Sequence, residues 1–144
     1  MRRREVDGRA VVDTHWPYDG PHTPDRVIQA AAAVEQLLRY LANATAGDRA
    51  GLRGSDVAAV LSALAGALHI VPTLTGRIAG IADRIAGDPT IYDDRRDRPG
   101  RDTALQLAVV LAEVRDAARA LAGRSDQASG IASHLGHDEP GAGR

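Results

Sequence analysis

Five histidines, His15, His22, His69, His134 and His137, are the side chains of this 144-residue sequence best suited to holding a metal or moving a proton. Zinc needs three or four ligands converging on one point. His134, His137 and Asp138 spell H-x-x-H-D, but the stretch stands in a glycine-rich tail, the chain has no cysteine, and no H-E-x-x-H occurs. No metal and no cofactor are expected. His69 falls on the weakly polar face of an apolar helical pattern, where a hydrogen-bonded structural histidine is the simpler reading than a catalytic base.

Other reactive constellations are equally sparse. There is no G-x-S-x-G elbow, and the four glutamates are scattered. Most aspartates sit at helix caps or in one charged loop, where water keeps them ordinary carboxylates. Asp83 and Asp116 adjoin arginines in sequence, yet i,i+1 neighbours on a helix do not face each other. GDRAGLRGSD, residues 47–56, places glycines and two arginines before a helix start, as an anion site would. It follows a helix rather than a strand and lacks the GK[ST] ending of a phosphate loop, so a turn is the plainer reading. The chain is therefore expected not to be an enzyme.

All 18 basic residues are arginine, which fits a GC-rich coding sequence, and the formal net charge of -1 gives no overall field for nucleic acid or an anionic membrane. Arg2, Arg3 and Arg4, or Arg95, Arg96, Arg98 and Arg101, offer local basic clusters. The second cluster is neutralised by Asp93, Asp94, Asp97 and Asp102, and only Tyr92 is at hand for stacking on bases. A DNA-associated accessory or regulatory role is the alternative reading, possible but not favoured. Missing cysteines and a start without an apolar signal core fit a cytoplasmic protein.

These residues need elements to position them, and the apolar spacing supplies helices. Thr23, Pro24 and Asp25 make a helix start, after which Val27, Ala31, Val34, Leu38 and Leu41 recur in steps of four and three over about 24–45. From Ser55 a second stripe, Val57, Leu61, Leu64, Leu68, Val71, Leu74, Ile78, Ile81 and Ile85, runs through Pro72 without a slip in register. One kinked helix over about 56–86 is expected, although proline removes a backbone bond and crowds the turn before it. Positions 57–76 carry no Asp, Glu, Lys or Arg and match a membrane-spanning length. Ser62, His69, Pro72, Thr73 and Thr75 interrupt the run, and a buried helix of a soluble protein is the expectation, with no membrane.

Residues 87–102 read as a solvated loop. Thr103 with Gln106 forms a capping-box pattern, and Leu107, Leu111, Val114, Ala118 and Leu121 continue to Gly123. Ser125 is expected to open a short fourth helix toward Leu135. No segment alternates with period two. The fold class is thus all-α: an antiparallel bundle of three long helices plus a short C-terminal helix, with an extended N-terminal arm over 1–22, the bundle over 23–136 and a disordered tail over 137–144.

The arm carries HWPYDGPHTPD, with a turn expected at Asp19-Gly20 and Trp16 and Tyr18 expected to cover the overhanging end of the long second helix, or to line a ligand site there. RIAG occurs at 77–80 and again at 84–87, stacking Arg77 with Arg84 and Gly80 with Gly87. Together with Gly76 these residues admit either another helix of the same chain or a second subunit with arginines at its rim. Gly76, Arg77, Gly80 and Arg84 are the expected partner-binding residues, and Trp16 and Tyr18 the ligand-binding ones.

HWPYDGPHTPDRV leading into RYLANAT, with ASHLGH near the end, resembles small helical proteins of high-GC Gram-positive bacteria. The resemblance implies no activity and assigns no residue a role. The function expected is non-enzymatic protein association, with self-association into a homo-oligomer, a dimer, as the favoured form.

Overall fold

A computed structural model describes residues 6–47 and 49–136. Among them are four helices and no strand: α1 (Gly8–His15), α2 (Pro24–Ala44), α3 (Gly54–Ala86) and α4 (Gly100–Ala132). The chain divides into two compact units, residues 1–51 and 52–144. Arg2, Arg3, Arg4, His137 and the tail over 137–144 lie outside the described residues.

In the first unit the arm is not the extended segment its sequence suggests, because α1 forms within it. Asp7 caps that helix, its carboxylate accepting from the backbone N–H groups of Arg9 at 2.9 Å and Ala10 at 3.3 Å. The expected turn is present: Gly20 donates to the Pro17 carbonyl at 3.0 Å and takes a φ of 97°, a conformation open to glycine. Helix α2 starts where the sequence indicates. Pro24 occupies its first turn and the Thr23 hydroxyl accepts from the Arg26 N–H at 3.3 Å.

The second unit is a hairpin of two 33-residue helices, each about 50 Å long at about 1.5 Å per residue. The first passes through Pro72 as one helix, as the unbroken register predicts. Downstream of the proline, the Thr75 hydroxyl donates to the carbonyls of Val71 at 2.9 Å and Pro72 at 3.1 Å. The second passes through Gly123, so the separate fourth helix expected from Ser125 does not exist. Glycine weakens a helix interior by only about 1 kcal/mol, and the face of α4 that meets α3 continues past it to Ala132.

Three contacts fix the helices as antiparallel. Gly54, at the start of α3, abuts Leu135 beyond the end of α4, so closely that a Cβ at Gly54 would stand 2.7 Å from the Leu135 oxygen. Midway, His69 Nε2 lies 2.8 Å from Asp126 Oδ2. At the turn, a Cβ on Gly100 would fall 2.6 Å from the backbone of Tyr92, which is bridged to Pro99.

That turn also overrides the expected capping box. Thr103 gives its hydroxyl to the Asp93 carboxylate, and Gln106 Oε1 accepts from Arg98 at 2.6 Å, so both side chains fasten the 91–99 loop instead of capping α4. Arg96, at a φ of 58°, sets its guanidinium 4.8 Å from the centre of the Tyr92 ring.

The largest departure from the sequence reading concerns which residues are inside. In α3 the shielded line is Gly54, Ala58, Leu61, Ala65, Leu68, Pro72, Thr75, Ala79, Ala82 and Ala86. In α4 it is Gly100, Ala104, Ala108, Leu111, Arg115, Ala118, Ala122, Ser125, Ser129 and Ala132. Both lines advance in steps of three and four, the spacing of supercoiled helices. The fully buried members are alanine, glycine and one threonine, and no leucine, isoleucine or valine among the described residues is buried. Small side chains win the interface because they let two backbones approach closely along their whole length. Of the bulky stripe expected to form the core, Leu61, Leu68 and Leu111 keep half-buried places on these lines, and Ala118 is buried; the other members are left beside the seam.

Candidate association surface

The bulky residues off the shielded line include a set that stands in a fixed relation to it. Leu64, Val71, Ile78 and Ile85 directly precede Ala65, Pro72, Ala79 and Ala86; Leu107, Val114 and Leu121 directly precede Ala108, Arg115 and Ala122. One residue is 100° of rotation, and seven residues are nearly two turns, so these side chains form one straight line on each helix, to the same side of the seam when viewed along the chain. Because the helices run in opposite directions, the two lines emerge on the same face of the hairpin. Val60, Ala67, Leu74 and Ile81 extend it on α3, and Val110, Ala117 and Ile131 on α4, where Arg124 interrupts it.

This face is open. Leu74 is 53% exposed, Ile78 39%, Ile81 44%, Ile85 41%, Leu107 48%, Val110 46%, Val114 43% and Leu121 53%. Scattered apolar side chains on a surface are ordinary, whereas two parallel ridges of them along a hairpin are not.

Residues that directly follow a seam position emerge on the opposite face, and apart from Leu105 and Val109 they are small or polar. His69 follows Leu68, Asp126 follows Ser125, and the two meet across the helices. Thr73 and Arg119 follow Pro72 and Ala118, and with His69 and Ala122 they line a shallow cleft of about 430 Å³. Arg119 is itself held 3.1 Å from Asp116. His69 thus stands as the hydrogen-bonded histidine its position suggested, in an ion-pair geometry with both side chains about half exposed.

Gly76 and Gly80 also fall on this second face. Nothing lies within 4 Å of a Cβ built on Gly76, and Gly80 meets only the Arg84 guanidinium, at 4.0 Å. The RIAG glycines therefore do not seat α4. Arg77 and Arg84 lie at the outer edge of α3, each directly before an isoleucine, and neither forms an ion pair or side-chain hydrogen bond within the described residues.

Trp16 and Tyr18, the expected ligand-binding residues, follow α1 in the first unit. Tyr18 is 93% exposed, and Trp16 is half-buried with its ring tilted against His15 at 5.8 Å between centroids. Among the described residues, no three His, Asp or Glu side chains converge as a metal would require. A second cleft, of about 640 Å³, opens at the turn between Asp83, Asp88, Arg101 and Leu105. Two carboxylates nearby are held below the ordinary range: Asp88 by the hydroxyl and N–H of Thr90, and Asp93 first by the Thr103 hydroxyl, then by the Arg95 N–H. Each works as a loop fastener, its oxygens occupied by donors of its own loop or of the α4 first turn.

No protein-family model, curated protein or solved structure matches this chain. The geometry of the two faces is what bears on function. Helix α3 is long and apolar enough to cross a membrane by length and composition, and 6% of its most apolar window is buried.

Proposed function

We propose that the protein works by association with itself, as a non-enzymatic cytoplasmic helical protein whose exposed apolar face is buried between copies. The observation that carries this reading is the make-up of the hairpin's interior: its buried residues are alanine, glycine and one threonine, and the leucines, isoleucines and valines stand half-buried or exposed. A buried alanine removes little apolar surface from water, while each large aliphatic side chain contributes about 1.5–3 kcal/mol on full burial. The conformational entropy lost in ordering two 33-residue helices is offset only when those larger side chains also leave water.

Burial in protein accounts for the exposed helix better than burial in lipid. Beside α3, along its whole length, runs α4 with Glu113, Arg115, Asp116, Arg119, Arg124 and Asp126, and no such helix could accompany it through a bilayer without a large cost. The antiparallel bundle of three long helices expected from the pattern becomes, on this reading, a bundle whose further helices come from a second copy. In α2, Val27, Val34, Leu37 and Leu38 are each more than half exposed and bring additional apolar surface to such an assembly.

Sedimentation velocity of the full chain across a range of micromolar concentrations tests the proposal. A species of twice the chain mass is expected. A strict monomer up to about 100 µM, where even weak specific dimers form, overturns it.

A further inference from the structure

The proposal of self-association leaves open which surfaces meet, and the charges at the hairpin's edges decide among arrangements. We infer that two hairpins stack apolar face to apolar face about a two-fold axis parallel to the helices, so that α3 of each copy lies on α4 of the other. This inference rests on the self-association reading and commits it to one geometry.

The area is sufficient. The eight large aliphatic side chains left 39–53% exposed on this face present roughly 700 Å² per copy, close to the about 800 Å² per partner of a stable interface. The pattern is self-complementary. Ridges seven residues apart on both helices match the spacing that keeps a supercoiled seam in contact, and an isologous interface needs one patch that fits itself.

The edges then choose the axis. Pro72 shares a cleft with Arg119 and Ala122, and Ala86 shares one with Gly100 and Leu105, so Arg77 stands level with the turn of α4 that holds Glu113. Arg77 directly precedes Ile78, and Glu113 directly precedes Val114, which puts both at the outer edge beside the apolar face. Neither has an ion-pair partner within the described residues. Rotation about an axis parallel to the helices preserves height and exchanges the two edges, bringing Arg77 of one copy to Glu113 of the other at both rims. Stacking α3 on α3 instead would leave both charges unanswered.

The test is a charge exchange in the full chain, read as the dimer dissociation constant by sedimentation. Arg77→Glu alone and Glu113→Arg alone each place like charges at both rims and are expected to weaken the dimer about tenfold, and the double variant is expected to restore most of that loss. Val114→Glu is expected to abolish the dimer. Should that variant unfold, the exchange pair, confined to exposed edges, still decides the matter.

A dimer whose constant ignores both single changes overturns this geometry while leaving self-association intact. So does a dimer that forms with Val114→Glu but is broken by Gly80→Leu on the opposite face. A wild-type monomer overturns both readings, including one in which a cysteine placed at Ile78 resists a water-soluble thiol reagent because another segment of the same chain covers it.

Discussion

His69 of α3 and Asp126 of α4 meet 2.8 Å apart, Nε2 to Oδ2, across the seam of the hairpin, each standing one residue beyond a seam position. The pair therefore marks both the register of the two helices and the side of the hairpin that faces away from the apolar ridges. Both side chains are about half exposed, so water competes for the interaction. Replacing Asp126 by Asn or His69 by Ala is expected to cost no more than about 1 kcal/mol, the ceiling for an exposed pair. Thermal unfolding followed by circular dichroism measures this, and a loss several times larger would show the pair to be a principal clamp.

Glycines at the two ends of the hairpin behave differently from those along it. A methyl at Gly100 would lie 2.6 Å from Tyr92 backbone atoms, and one at Gly54 2.7 Å from the Leu135 carbonyl oxygen. Neither neighbour is a flexible side-chain end. Each substitution to alanine is expected to destabilise by about 1–3 kcal/mol, as overpacking does.

Gly123 provides the opposite case, since a Cβ there has nothing within 4 Å and its backbone is helical. Gly123→Ala is expected to stabilise by up to about 1 kcal/mol through the lower entropy of the unfolded chain and better helix propensity. A raised melting temperature is the result that agrees; a lowered one would mean that something packs on this side of α4.

Acid should loosen the 91–99 loop. The hydroxyl of Thr103, and after it the N–H of Arg95, hold the Asp93 carboxyl below its ordinary 3.8. A folded-state value lower than the unfolded one means that the stabilisation is complete above 3.8 and is lost as pH falls through the folded value. Carboxyl chemical shifts by NMR should place the Asp93 midpoint under 3.8, and Thr103→Ala should move it back up. A midpoint unaffected by that substitution would remove the hydroxyl as the cause.

Despite the apolar length of α3, the full chain is expected to stay in the aqueous phase without detergent and not to float with neutral lipid vesicles. Co-flotation that persists at high salt would instead place α3 in lipid.

Periodicity made the helices legible. The start of α2 at Pro24, the passage of α3 through Pro72 and its end at Ala86 all follow from spacing and caps. What spacing could not settle was which of two adjacent lines faces the neighbouring helix. Leu64 and Ala65, or Ile78 and Ala79, advance with the same seven-residue step, and hydrophobicity favours the larger residue while close backbone approach favours the smaller. The regular alanines at 58, 65, 79, 82 and 86 were the available signal. Gly123 and Thr103 misled for a related reason: local punctuation is weak against a continuous packed face and against a loop that recruits the same hydroxyl. The RIAG repeat revealed the seven-residue period, but its glycines fall on the side opposite the apolar ridges.

Since the bulky line leads the alanine line by a single position on both helices, the hairpin's two-sidedness depends on reading frame along the rod. Deleting seven residues from the middle of α3 together with seven opposite them in α4 would yield a shorter protein with the same oily side and the same wet side. Removing only one from each would turn the far half of each helix by about 100° and set mismatched lines of residues against each other in the seam.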